Sequence, residues 1–232
     1  MPLEFSDGIH LLDLRNTLAE CPKLRSLALI ECELWLSSEE PIQPVSLPDL
    51  EVLDLRVLAD EDVLMFLISF ILPGSNNLAF GISIHSSIPQ YAMARLRDFM
   101  RRSNVTRLCI GADFITFINH LDWLLATPED DIFTIQELAL CGYRFSKPVD
   151  NQPLNANHFP FLHTLHLMGG SDLDADKCRQ ILDASKVQIL RTDNSRELVA
   201  ALSGIVPSVE YRRYFTICHG ESDLEWPLYV LD

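Results

Sequence analysis

A short apolar motif recurs along this chain and constrains its fold more than any other feature. Three stretches show it clearly: CPKLRSLAL at 21–29, LPDLEVLDL at 47–55 and FPFLHTLHL at 159–167. Each carries the core L-x-x-L-x-L shortly after a proline. The core begins at seven positions separated by 25 to 30 residues: Leu24, Leu50, Ala79, Val105, Ile135, Leu162 and Val187. Recurrence at this interval is typical of a repeat protein.

The spacing inside the core predicts one β-strand per repeat. Apolar residues two apart, such as Leu27 and Leu29, fall on one face of a strand. The return to the next parallel strand takes a dozen or more residues and usually includes a helix. Helical patterns occur where this requires them: 60–72, 86–102, 116–126, 171–184 and 195–204. We therefore predict an α/β solenoid of about seven irregular repeats, with a curved parallel sheet on its concave side and helices on its convex side.

The repeats continue without a linker or a break in composition, so we predict a single domain over 1–232. Within it we expect an N-terminal helix and cap, the repeats and a C-terminal cap: 1–20, 21–195 and 196–232. Pro207 precedes Val209 by two residues, which is the offset of the proline in the clear repeats. This predicts an eighth strand whose core begins at Val209 and has Arg212 at its second position.

The charge balance restricts the partners that the chain can bind. It has 33 acidic and 18 basic residues, a formal net charge of −15. Nucleic acids and anionic membranes both attract basic surfaces, so we expect neither as a partner. The longest apolar run, 63–72, is half of the roughly twenty residues that span a membrane. The opening MPLEFSDG lacks a secretory signal, and we expect a cytoplasmic or nuclear monomer with reduced cysteines.

The motif, its period and the alternation of strand and helix resemble leucine-rich repeats of the long, ribonuclease-inhibitor-like type. Two of the stretches that carry the motif, CPKLRSLAL and LPDLEVLDLRVL, are called the repeat headers below. They are more specifically similar to the repeat region of fungal F-box proteins. In that family an F-box precedes the repeats, and we expect none in this chain. Either the chain is a truncated product, or the resemblance reaches only the substrate-recognition half of a ubiquitin-ligase receptor. Only Cys32 matches the Asn or Cys that such repeats place after the core, which implies irregular convex turns.

Residues between and just after the core positions are expected to line the concave side, where solenoids usually bind their partners. Small residues, isolated charges and a few apolar residues share this face, a mixture that suits a protein surface better than a metal or phosphate site. The candidate contacts are Asp54, Arg56, His85, Arg107, Glu137, His166, Arg191 and Asp193. We expect a protein partner on this face, and the alternative is a free-standing repeat protein that acts as a scaffold or inhibitor.

Three histidines lie close together at 158, 163 and 166, which is a pattern that metal sites show. Since His163 and His166 are three apart, an extended strand directs them to opposite sides, and we expect no shared metal. The chain carries no G-x-S-x-G, H-E-x-x-H or phosphate-binding glycine loop. We therefore expect no catalytic residues and no cofactor.

Overall fold

The computed structural model describes residues 9–29, 32–35, 43–55, 61–84, 90–112, 133–141, 160–168, 182, 186–193 and 196–211. The strands in this part of the chain are β1 (Ile9–His10), β2 (Ser26–Ala28), β3 (Leu34–Trp35), β4 (Val45–Leu47), β5 (Val52–Leu55), β6 (Ile71–Pro73), β7 (Leu78–Ile84), β8 (Val105–Ala112), β9 (Glu137–Cys141), β10 (Thr164–Met168), β11 (Ile189–Thr192) and β12 (Ser208–Tyr211). The helices are α1 (Leu11–Ala19), α2 (Glu61–Phe70), α3 (Gln90–Arg102) and α4 (Arg196–Leu202).

Eight strands form one sheet, and their order in it is their order in the sequence: β2, β5, β7, β8, β9, β10, β11 and β12. The sheet is parallel throughout. Each strand therefore pairs with the strand of the next repeat, as the 25- to 30-residue period requires. This topology establishes an α/β fold that is consistent with a repeat solenoid.

Neighbouring strands confirm the predicted core positions in the second half of the sheet. Leu138 lies opposite Leu108 and Leu165, and Leu165 lies opposite Leu190. Each of these is the second core residue of its repeat, and each is buried. The L-x-x-L-x-L motif therefore defines a continuous apolar layer on one face of these strands.

The predicted core of β7 is two residues out of register. The motif placed Ile82 at the second core position, but Phe80 is the residue that lies opposite Leu53. Phe80 is fully buried, and its ring centroid is 4.9 Å from that of Phe99 in α3. Burying a large aromatic side chain contributes more than burying the smaller alternatives, so the packing of Phe80 determines the register.

The predicted eighth strand exists as β12, but its core begins three residues earlier than predicted. Val209 lies opposite Leu190 and is the second core residue, not the first. Val206, which is buried, takes the first position. Arg212, predicted as the second core residue, lies outside the described residues.

The end of the apolar run 63–72 is a strand, which corrects the helix predicted to continue through 72. Helix α2 ends at Phe70, and β6 follows it and pairs in parallel with β4, with Val45 opposite Ile71. Ile71 is fully buried in this small two-stranded sheet. A continuous apolar run carries no periodicity that separates helix from strand, so the tertiary pairing decides. A second two-stranded sheet joins β1 and β3.

Gly74, which follows β6, approaches the backbone of Pro48 closely. A Cβ atom on Gly74 would overlap the carbonyl group of Pro48. Leu47 and Pro73 lie opposite each other at the ends of β4 and β6. Pro48 and Gly74 are therefore the residues that directly follow the two strands. Only glycine permits this approach of the two backbones.

Asn104 supports the turn between α3 and β8. Its φ of 44° lies in the left-handed region, which asparagine tolerates better than most residues. Its side-chain amide donates to Asn77 Oδ1 at 2.9 Å and to the Ser75 carbonyl at 3.4 Å, while its own carbonyl accepts from the Leu78 amide at 3.1 Å. The side-chain hydrogen bonds of Asn104 therefore connect the starts of two repeats. Asn104 lies just before the core of its repeat and not after it, where the standard motif has Asn or Cys.

The chain forms two compact units, Met1–Ser83 with Ile88–Val105 and Ile84–Ser87 with Thr106–Asp232. The core of the first unit includes Phe80 and Phe99, and that of the second includes Leu165 and Leu190. The organisation as a single domain stays a prediction. The helix predicted at 116–126 lies outside the described residues, as does all of 171–184 except Leu182. Among the described residues, no helix has both the length and the apolar character to cross a membrane.

A charged row as the candidate binding surface

The second unit carries a row of five ionisable side chains on five successive strands. They lie on the face opposite the leucine core, one on each strand from β8 to β12. We call Arg107, Glu137, His166, Arg191 and Glu210 the charged row. Apart from His166, the row consists of two arginines and two glutamates, whose formal charges cancel.

The strand registers explain how these residues meet. Arg107 lies directly opposite Glu137, and His166 lies directly opposite Arg191, which lies opposite Glu210. Between β9 and β10 the row moves by two residues, because His166 lies opposite Ala139 and not opposite Glu137. Long side chains reach such diagonal neighbours, and alanine leaves room for them to do so.

Contacts join four members of the row. His166 Nε2 and Glu137 Oε1 share a hydrogen bond. Arg191 Nη1 lies 3.6 Å from the same Glu137 oxygen, and Arg191 Nε donates to Glu210 Oε2 at 3.1 Å. The exposed fraction of the side chain is 2% for His166, 23% for Glu137, 24% for Arg191 and 35% for Glu210. His166 is therefore the buried member of these four, while the side chains of the two glutamates and Arg191 remain partly accessible to solvent.

The surroundings of Glu137 keep its carboxylate ionised. Burial by itself would raise the pKa of Glu137, but the hydrogen bond and charge of His166, with the charges of Arg107 and Arg191, outweigh it and lower the pKa. A carboxylate only accepts hydrogen bonds, so the proton in its bond with His166 lies on Nε2. The resulting interaction is charge-assisted, and it fixes the orientation of the imidazole ring.

The structure brings together half of the residues predicted as contacts: Arg107, Glu137, His166 and Arg191. Asp193 is half-buried just beyond the end of β11. Asp54 lies on β5 in the other unit and is fully buried. The remaining two, Arg56 and His85, lie outside the described residues.

Several residues on the face opposite the leucine core are buried, among them Cys109, Ala139, Thr164 and His166. Parallel sheets are commonly buried on both faces. The position of a residue between core leucines therefore predicts which face of the sheet its side chain lies on, but it does not predict whether the side chain is exposed to solvent. The half-buried members of the charged row combine this face with accessible polar atoms.

Glu210 is the member of the row that the sequence analysis missed. The proline offset placed the core of β12 at Val209, so Glu210 fell outside the set of outward positions. The segment VPSVEY at 206–211 contains the correct signal, an apolar residue at its first, fourth and sixth positions. In this register Glu210 stands between two core residues, as Arg191 does in β11.

The remaining histidines do not join the row. His163 is exposed, and its Nδ1 lies 3.1 Å from the hydroxyl of Thr164, whereas His166 is buried on β10. His158 lies outside the described residues. Within the described part of the chain, no group of three or more His, Cys, Asp or Glu side chains is placed to hold a metal ion.

A histidine oriented by a carboxylate is also part of many hydrolytic sites, where it acts as a base on a nucleophile. Such a base must reach the substrate. The His166 side chain is 2% exposed, so a substrate in solvent does not reach its ring. The geometry favours a structural role for this pair, in which Glu137 and His166 hold the strands β9 and β10 in register.

Comparison with known proteins identifies no family for this chain. No protein-family model and no curated protein matches the chain. The sheet topology supports a repeat architecture without identifying a family. The features of the chain that bear on its function are the charged row and the repeat headers.

Proposed function

We propose that this chain is a non-catalytic protein-binding domain that contacts its partner through the charged row. The observation that carries the proposal is the placement of charged side chains on successive strands of one sheet face. Charges fixed by neighbouring strands give an interface specificity and register. The proposed partner is a protein, and the proposal involves no metal, cofactor, nucleic acid or membrane.

The local charge balance supports a protein partner. The whole chain has a formal net charge of −15, yet the two arginines and two glutamates of the row cancel. A polyanion requires a basic patch, which the row does not supply. A protein surface with interspersed charges of both signs fits it better, since each charge then meets its opposite.

The resemblance of the repeat headers makes the proposal more specific. It suggests the substrate-recognition region of an F-box-like ubiquitin-ligase receptor, acting as a monomer in the cytoplasm or nucleus. In such a receptor an F-box module binds the ligase adaptor and the repeats bind the substrate. The alternative is a free-standing scaffold or inhibitor with the same binding face.

The binding face is tested by charge reversal with the tagged 232-residue chain as bait. We expect Arg107→Glu combined with Glu210→Lys to lose the proteins that the original chain captures. Arg25→Glu is the matched control, because Arg25 is an exposed arginine outside the row. Retention of the same proteins by the double variant would contradict binding at the row.

The receptor assignment requires a different measurement. The transcript is mapped upstream of the Met1 codon, and the product of the complete gene is purified from its own cells. An upstream F-box segment and a co-purifying ligase adaptor are the expected results. A complete gene product with neither would favour the scaffold.

A further inference from the structure

Arg107 differs from the other members of the charged row in its hydrogen bonds. Glu137, His166, Arg191 and Glu210 all bond or pair within the row. Arg107 lowers the pKa of Glu137 through its charge alone, and within the described part of the chain its guanidinium has no hydrogen-bond acceptor and no ion pair within 4.0 Å. With respect to the described residues, its five N–H donors are therefore available for a partner.

The position of Arg107 makes these donors suitable for recognition. The residue is half-buried within β8, so its side chain has less conformational freedom than one that is fully exposed to solvent. A restricted side chain loses less conformational entropy on binding than a fully exposed one. The planar guanidinium matches a carboxylate with two parallel hydrogen bonds, which gives both strength and orientation.

We propose that Arg107 binds the carboxylate of an aspartate or glutamate side chain of the partner protein, an inference that rests on the proposed function. Glu137, directly opposite Arg107, keeps its negative charge because its pKa is lowered. A phosphate group with two charges meets stronger repulsion from Glu137 than a carboxylate with one. Arg191 is less suited to this role, since two glutamates of the chain already engage it.

The test uses a library of random 12-residue peptides selected on the complete 232-residue chain. We expect the selected peptides to share an aspartate or glutamate at one position. Replacing this residue with Asn or Gln, or replacing Arg107 with Gln, weakens binding by about 10-fold or more, as expected for a lost charge-assisted hydrogen bond. Arg25→Gln, the control, leaves the affinity unchanged.

Charge reversal gives the sharper result. Arg107→Glu abolishes binding of the acidic peptide, and the peptide with Lys at the acidic position restores it. Amide exchange of β9 and β10 in the variants shows whether the sheet is intact. A loss of binding that accompanies a loss of protection in these strands would overturn the inference, because Arg107 would then be structural.

Two further outcomes overturn the inference without deciding the proposed function. One is a set of selected peptides that has no common acidic residue or whose affinity is unaffected by Arg107→Gln. The other is a library from which the chain selects no peptide. In both cases the capture experiment with the double charge reversal still tests the row as a protein-binding face.

Discussion

His166 and Glu137 are hydrogen-bonded across two strands although they do not lie opposite each other in the sheet. The diagonal contact exists because Ala139, the true neighbour of His166, is too small to separate them. Arg191 then approaches the same carboxylate oxygen from β11. One glutamate thus connects three strands, and its ionisation is linked to the stability of the second unit.

Lowering the pH should weaken the second unit through Glu137. The folded state lowers the pKa of this carboxyl below its unfolded value of about 4.3, so the stabilisation is present above that value. It is lost as the pH falls through the folded pKa. Amide exchange of β9–β11, corrected for its intrinsic pH dependence and followed from pH 7 to pH values well below the unfolded pKa of about 4.3, measures the effect.

Glu137→Gln should remove this part of the pH dependence and destabilise the strands at pH 7 by about 1–2 kcal/mol, since His166 and Arg191 lose a charged acceptor. Equal pH dependence in the original chain and the variant would show that other carboxylates cause it.

Arg191→Ala should cost more stability than Arg25→Ala, although both arginines pair with glutamate. Arg25 is 71% exposed and its pair with Glu51 is worth at most about 1 kcal/mol. Arg191 is 24% exposed and engages Glu137 and Glu210. We expect about 1–3 kcal/mol for its loss. Amide exchange within the unit that holds each arginine provides the measurement, and equal costs would contradict the coupling of the row.

Gly74→Ala should destabilise the first unit strongly. The new Cβ would overlap the Pro48 carbonyl, and separating the two backbones should cost about 2 kcal/mol or more. Gly204→Ala is the matched control, because a Cβ there meets no atom within 4 Å. We expect the control to be neutral or stabilising by up to about 1 kcal/mol. Urea unfolding followed by tryptophan fluorescence and by amide exchange within each unit distinguishes the two variants.

Replacing Asn104 should separate its conformational role from its hydrogen bonds. Asn104→Ala loses the bonds to Asn77 and Ser75 and places alanine at a φ of 44°. Asn104→Gly loses the same bonds but tolerates the conformation. We expect the alanine variant to be less stable than the glycine variant by about 1 kcal/mol. Equal stability would mean that the hydrogen bonds account for the whole effect.

The sequence predicts the sheet well where leucine occupies the core positions and poorly where other residues do. Leu138, Leu165 and Leu190 align as the motif requires. In LAFGISI at 78–84 two registers place apolar residues in the core, and the contact of Phe80 with Phe99, which a single strand does not reveal, decides between them.

The charged row shows a similar limit. Alternation along one strand places Glu137 and His166 on the face opposite the core, but their contact depends on the register between two strands and on the small side chain of Ala139. The proline offset predicts a core for β12 that begins three residues too late and omits Glu210, whereas the apolar pattern of the segment itself gives the correct register. Contacts between repeats are therefore harder to derive than the repeats themselves.

The lengths of the strands have a consequence for solubility. The two strands at the edges of the large sheet, β2 and β12, have three and four residues, whereas β7 and β8 near its middle have seven and eight. An edge strand exposes backbone groups that can recruit a strand from another molecule, and a short edge offers few of them. Within the described part of the chain, the large sheet thus offers few edge groups for amyloid-like growth, although its parallel strands are rich in leucine.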